Sequence, residues 1–273
     1  MATTKAAPKK KSQGFQGVRH AFIIIILAFI AGWAFYNYVL GDPSNFANGD
    51  HEGHPLNMLG TVYKGGFVVP IIFGLLCTVI AMSVERLLAI SACAGKGNVT
   101  KFTERVKAAL KAGDIDKAEQ LCNKQRGSVA NVVLADLKSY REMETVNVKL
   151  KEKVATIQNS HDEATALEMP TMTMNLPIIA TIVTLGTLTA LFGTVLGMIR
   201  SFAALAAGGG ADSMALSTGI SEALVNTASG IATSWVSVIS YNYFTNRVDK
   251  LTFAMDEIGY TIAHTFEEKH PEA

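Results

Sequence analysis

Thr181-Ile-Val-Thr-Leu-Gly-Thr-Leu-Thr-Ala-Leu-Phe-Gly-Thr-Val-Leu-Gly-Met-Ile-Arg200 decides the fold. It reaches its first charge only at Arg200, and at 1.5 Å per helical residue about 20 such residues match a hydrocarbon core of roughly 30 Å. The uncharged run is 176–199, and 65–84, 223–244 and 22–40 are runs of the same kind. Apolar residues gathered into blocks, rather than spread with the period of a soluble helix or strand, predict an all-α integral membrane helical bundle.

Charge adds topology. The 273 residues carry a net charge of only +1, but the cations are segregated: Lys9, Lys10, Lys11 and Arg19 precede the first span, and most others fall between Arg86 and Lys153. The positive-inside rule places the N-terminus, the 85–175 segment and the C-terminal tail in the cytoplasm. The 41–64 loop (Asp42, Asp50 and Glu52 against Lys64) and the 206–217 loop (Asp212) then face the opposite side, and Arg200 snorkels. The basic groups report topology rather than a nucleic-acid partner.

The expected layout is a basic tail over 1–20, a span over 21–40, an outer loop over 41–64, a span over 65–90 and a cytoplasmic helical domain over 91–175. A span over 176–205, a short loop over 206–217, a span over 218–244 and a cytoplasmic helix over 245–273 follow. The alternative for the first span is a signal peptide. Against it stand the continuation through Trp33 to the aromatic cluster Phe35, Tyr36 and Tyr38, an interfacial belt, and the lack of a clear small-x-small cleavage site. Cys77, Cys93 and Cys122, odd in number and without C-x-x-C spacing, read as free thiols.

Within the cytoplasmic segment, Gly95-Lys96-Gly97 breaks the helix without forming a phosphate loop, whose G-x-x-x-x-G-K-[ST] frame is missing. Phe102, Val106 and Leu110 share a helical face. Gly113-Asp114 makes a turn before Ile115, Ala118, Leu121 and Cys122, and 128–169 continues at helical spacing until Pro170 bends or stops it. Val248, Leu251, Met255, Ile258 and Ile262 form one stripe on a helix expected to continue the last span. His51, Glu52 and His54 lack the spacing and fourth ligand of a metal site, so the loop reads as polar, with no metal and no cofactor. No catalytic constellation points to an enzyme.

Two uses compete for the hydroxyls and glycines of 176–205 and 218–244. Gly186, Ala190, Gly193 and Gly197 form small-xxx-small ridges for helix packing, with each threonine bonding back to its own helix. Alternatively Thr187, Thr194 and Ser201, and likewise Thr227, Ser234 and Tyr241, recur every seven residues, drift by only about 20° per step and form polar stripes; Asn226, Gly230 and Ser237 lie beside the second. Between Leu176 and Phe244 the only charged residues are Arg200, Asp212 and Glu222. Proton transfer needs a group that titrates, so a second subunit would have to bring the carboxylate.

The block Leu191-Phe-Gly-Thr-Val-Leu-Gly-Met198, followed by Gly219-Ile-Ser-Glu-Ala-Leu-Val-Asn-Thr-Ala-Ser-Gly230, resembles the core of the ExbB/TolQ/MotA proton-channel family, nearest to ExbB and TolQ. The resemblance covers about 175–245, and the Ala112-Gly113-Asp114 turn fits the family layout. It implies a homo-oligomer, a pentamer, around the helices of an ExbD- or TolR-like single-span partner whose membrane aspartate carries the proton. That motor works in the bacterial inner membrane, in contact with lipid, with the proton as coupling ion, and energises a TonB- or TolA-like protein. The motif match makes Thr194 and Thr227 the pore-facing hydroxyls and Glu222 the family's glutamate at the outer end of the last span. With Thr187 and Ser234 from the stripes they form the expected pore-lining set, and Gly186, Gly193, Gly197 and Gly230 the expected packing set.

Two departures limit the resemblance. Where many relatives have a proline before the L-x-G-T-V block this chain has Thr187, so their kink and pore shape are not carried over there. The additional span 21–40 departs from a three-span plan. The expected function is the stator subunit of an ExbB-like motor serving outer-membrane transport, with TolQ-like envelope maintenance, a motility stator or a non-conducting scaffold as alternatives. A self-contained transporter is disfavoured, because midspan charges and inverted repeats with broken helices are missing.

Overall fold

The computed structural model describes residues 21–51, 53–207 and 213–271. The expectations for the 1–20 tail, Glu52 and Asp212 fall outside them. The helices are α1 (Ala21–Phe35), α2 (Met58–Tyr63), α3 (Val68–Ala94), α4 (Val99–Lys111), α5 (Ile115–Gln125), α6 (Gly127–Thr145), α7 (Leu150–Thr173), α8 (Leu176–Ala207) and α9 (Ser213–Lys269). Among the described residues the only β pairing is an isolated bridge between Phe46 and Pro55. Three stretches, Ala21–Leu40, Val68–Lys111 and Leu176–Ala203, hold helix long and apolar enough to cross a membrane. The protein is an all-α membrane helical bundle. The expected span 218–244 lies wholly within α9 but is not among the three, because Ser, Thr, Asn and Glu dilute its apolar content.

The chain divides into two compact units. The first comprises Leu87–Met174 and the described part of Phe244–Ala273. Its short helices start at side-chain caps: Asn98 accepts from the Lys101 N–H at 3.3 Å and Asp114 from the Lys117 N–H at 2.9 Å. Gly113 makes the turn between α4 and α5 at φ +77°, a conformation that favours glycine. Phe102, Val106 and Leu110 are buried with Ala118, Cys122, Leu137, Ile157 and the stripe Val248, Leu251, Met255, Ile258 and Ile262. Burial, then the nearby Glu119 and Asp136 carboxylates, push the Cys122 thiol up to about 12, leaving it an unreactive core group.

Two breaks fall where the helical spacing did not place them. The stretch 128–169 is not one helix but an antiparallel pair, α6 and α7, parted at 146–149, where β-branched Thr145, Val146 and Val148 disfavour helix. The pairing is read from Asn131, which donates to Glu168 at 3.1 Å, and from Asp136 against His161 at 2.8 Å. Pro170 does not stop α7, which loses one backbone bond there and runs on to Thr173. The break comes at Asn175, φ +66°, a residue type that tolerates the left-handed region.

His161 ties three segments of this unit together. Its Nδ1 meets Asp136 of α6 at 2.8 Å, its Nε2 meets Asp256 of α9 at 3.4 Å, and its ring lies so close to Gly259 that no Cβ fits there. The Asp136 hydrogen bond outweighs burial and raises the His161 pKa, while burial outweighs that bond and raises Asp136.

The second unit comprises the described part of Val18–Arg86 and Asn175–Tyr243. On α1 only the small residues Ala28 and Gly32 are buried, one turn apart, while Phe22, Leu27, Ile30 and Trp33 point outward. The small face meets α3: a Cβ on Gly32 would come within 2.6 Å of the Gly74 nitrogen, and Phe29 covers Gly74. The described residues of the 41–64 loop pack on one another and on the end of the first span. Tyr36 stacks on Tyr63 at 4.6 Å, the rings of Phe46 and His51 pack on Tyr63, and buried Asn45 donates to the carbonyls of Val39 and Leu40. Near the α3 end of this unit, Arg86 is fully buried in a bidentate pair with Glu85, Nε donating to Oε2 at 2.6 Å, and Asn175 donates to the same carboxylate at 3.3 Å.

Replacing Glu85 with alanine leaves that guanidinium buried without its carboxylate and is expected to cost about 3–5 kcal/mol, checked by denaturation in detergent. For His161 and Asp136, raised folded pKa values mean that the folded state holds the extra protons. Their stabilisation is present below the unfolded values, about 6.5 for His161 and about 4 for Asp136, and is lost as pH rises through the folded ones. Hydrogen exchange of α6 and α7 should therefore quicken with pH beyond its intrinsic rate, and His161→Phe should remove the His161 part of that dependence.

Candidate functional site

The polar stripes of α8 and α9 face each other along one antiparallel seam in the second unit. Thr187 lies 3.0 Å from Ser234, and one heptad away Thr194 touches Thr227 directly. Each hydroxyl also has a carbonyl within reach, which removes the cost of placing it in hydrocarbon. Thr194 reaches Ala190 O at 3.0 Å and, across the seam, Ala223 O at 3.3 Å; Thr227 reaches the same Ala223 O at 3.2 Å. Ser234 donates to Val183 O at 2.8 Å and Ser237 to Ile179 O at 2.6 Å. The two readings of these residues are thus combined in one arrangement: back-bonding and cross-helix pairing use the same atoms.

Glycine permits the approach. A Cβ on Gly186 would stand 2.7 Å from Ser234 Oγ, one on Gly193 2.9 Å from Asn226 Cβ, and one on Gly197 3.1 Å from Ala223 Cβ. A Cβ on Gly230 would overlap Ala190. All four glycines are buried. Ser201, the third member of the α8 stripe, instead bonds back to Gly197 O at 3.0 Å and packs on Gly219, so it does not extend the hydroxyl pairing. Tyr241 is half-buried one heptad beyond Ser234.

Beyond Thr194 and Thr227, Glu222 sits 3.8 Å from Arg200, its side chain 20% exposed against 57% for the arginine. The Arg200 guanidinium also lies 5.8 Å over the Phe67 ring. Sequence reasoning placed Asn226 beside the α9 stripe but gave it no role; it is buried and donates to Gly65 O at 3.0 Å, tying α9 to the turn that precedes α3. An amide four residues after Glu222 on the same helix face was the available signal. It also missed the Glu85–Arg86–Asn175 cluster, since neighbouring charges at a helix end read as surface.

A groove of about 1060 Å³ lies elsewhere, in the first unit, lined by Thr103, Glu104, Lys107, Arg247 and Lys250. It is open and mixed in charge. The seam is the stronger candidate because its hydroxyls converge in apolar surroundings, with Leu188, Leu191, Val195, Leu224 and Ile231 on the outward faces of the same helices.

Residues 129–257 match the MotA/TolQ/ExbB proton channel family. The chain is 31% identical over 112 residues to a biopolymer transport protein ExbB homologue of Methanothermobacter thermautotrophicus, 39% of each chain. It is 38% identical over 95 residues to the Tol-Pal system protein TolQ of Pseudomonas aeruginosa, 34% of this chain and 38% of the relative. To TolQ of Haemophilus influenzae it is 25% identical over 207 residues, 72% of this chain and 87% of the relative. The chain thus spans well under half the length of the first two relatives.

Gly230→Val is expected to force α8 and α9 apart at a cost of about 1–3 kcal/mol. Disulfide yield between Thr187→Cys and Ser234→Cys should fall in that background and stay unchanged in Leu224→Val, which alters an outward face.

Proposed function

With residues 129–257 carrying a MotA/TolQ/ExbB family domain, we propose that this chain is the channel-forming subunit of an ion-driven motor in the bacterial inner membrane. It assembles as a homo-oligomer, a pentamer, around a single-span ExbD- or TolR-like partner whose membrane aspartate carries the proton. Its own seam supplies no such group, because the sequence 176–244 contains only Arg200, Asp212 and Glu222 as charged residues, none between the paired hydroxyls. The N- and C-termini lie in the cytoplasm, and the work goes to a TonB-like protein for outer-membrane transport. A TolA-like recipient is the alternative, supported by the TolQ relatives.

The observation that carries the proposal is the direct contact of Thr194 and Thr227 over one shared carbonyl, Ala223 O. A hydroxyl both donates and accepts, so it serves a carboxyl group in either protonation state. While the partner aspartate is neutral, one hydroxyl donates to the other, the second donates to Ala223 O, and a lone pair accepts from the acid. When the aspartate ionises, a hydroxyl turns and donates to it. Thr187 and Ser234 repeat this one heptad further along the seam, and Glu222 beside Arg200 guards the outer mouth. One charge falling through 100 mV releases about 2.3 kcal/mol, so several protons, or low barriers between steps, are required for each unit of work. The glycine seam also suits a non-conducting scaffold, the second reading.

Replacing both Thr194 and Thr227 with valine keeps shape and removes the hydroxyls. Two hydrogen bonds at about 1 kcal/mol each correspond to a fall in proton flux on the order of 10- to 100-fold. The measurement is potential-driven proton uptake by vesicles holding this chain with its partner. Full flux in the double variant would refute the assigned site, and no flux in the parent complex would favour the scaffold.

A further inference from the structure

Asn226 is 2% exposed, and its amide is used on one side only. Nδ2 donates to Gly65 O at 3.0 Å, which fixes the orientation, because the opposite flip would set two oxygens against each other. Oδ1 is buried and has no hydrogen-bond partner among the described residues. Two glycines make room for the group. A Cβ on Gly193 would come within 2.9 Å of Asn226 Cγ, and one on Gly65 within 3.2 Å of Oδ1 itself.

A carbonyl oxygen without a donor in an apolar interior is costly, and the usual remedy is a bound water. The position gives such a water a use. Glu222 lies one helical turn earlier on the same face of α9, and Thr227 is the next residue. Along α9, Asn226 therefore falls between Glu222 and Thr227 in sequence, and Gly193, which packs on its amide, directly precedes Thr194.

We propose that Asn226 is a water-positioning residue of the proton route: its Oδ1 accepts one hydrogen of an internal water that joins Glu222 to the Thr194–Thr227 pair. This rests on the channel reading above. The Glu222 carboxyl gives its proton to the water, the water gives one of its own to the threonine pair, and the pair passes one to the partner's carboxylate. Each relay group ends with as many protons as it began with, the partner's acid becomes neutral, and Glu222 is left ionised until it is reloaded from the outer side.

The test compares two variants in the assembled complex, in vesicles with an imposed potential. Asn226→Leu keeps approximate volume and removes both polar atoms; Asn226→Asp keeps an acceptor and loses the donor to Gly65. The expected results are a loss of proton flux on the order of 10-fold for leucine, the scale of one hydrogen bond, and near-parental flux with an altered pH profile for aspartate. Assembly with the partner is read in parallel, so that a leucine variant that fails to assemble leaves the aspartate variant and its pH profile to decide. Full flux in an assembled Asn226→Leu complex would overturn the proposal. So would an aspartate variant as inactive as the leucine one, since the tether to Gly65 would then be the whole role. A parent complex that does not conduct would instead overturn the channel reading, and this residue's role with it.

Discussion

In hydrocarbon no water satisfies a stray polar group, and a side-chain hydroxyl is tolerated only where a carbonyl or another hydroxyl lies within about 3 Å. The α8–α9 seam meets that demand. It does so through glycine, because Ser234 and Ser237 reach the carbonyls of Val183 and Ile179 only when the two backbones come closer than a Cβ permits. Packing and polarity are thus one requirement: lengthen the side chain at Gly186 or Gly230, and the hydroxyls lose their partners together with the helix contact.

The same rule places the charges. Arg86 is buried, yet it lies in a bidentate grip with Glu85, and Asn175 adds a donor where the chain leaves its left-handed break. Arg200 and Glu222 stand 3.8 Å apart beside an aromatic ring at one end of the seam. Between these ends the seam is polar without being charged. Such a surface can lower the cost of a visiting carboxyl in either protonation state, and it cannot store a proton of its own.

The first unit follows ordinary water-soluble rules. Asn98 and Asp114 cap its helices, apolar stripes fill its core, and one half-buried histidine is held by two carboxylates from two other helical segments. Its sequence was therefore legible as helices parted at Gly113-Asp114, but not at every break. The division of 128–169 into α6 and α7 turns on a short run of β-branched residues, and the passage of α7 through Pro170 on one forgone backbone bond, both too small in energy to read against strong helical periodicity on each side.

By itself the sequence determined the class of the protein: uncharged runs near 20 residues long can hold their backbone bonds in lipid only as helices. It determined too that 176–244 lacks a titrating group between its ends, since that is a matter of composition. Heptad spacing placed hydroxyls on one face of each helix, because period alone sets which residues share a face. Only the tertiary structure decided which hydroxyl meets which. Thr194 with Thr227 and Thr187 with Ser234 depend on the register of two antiparallel helices, and that register is set by where glycine lets backbones touch. The contact of Asn226 with Gly65, 161 residues away, was beyond any local pattern, because a side-chain amide reports its partner only once the chain has brought that carbonyl within reach.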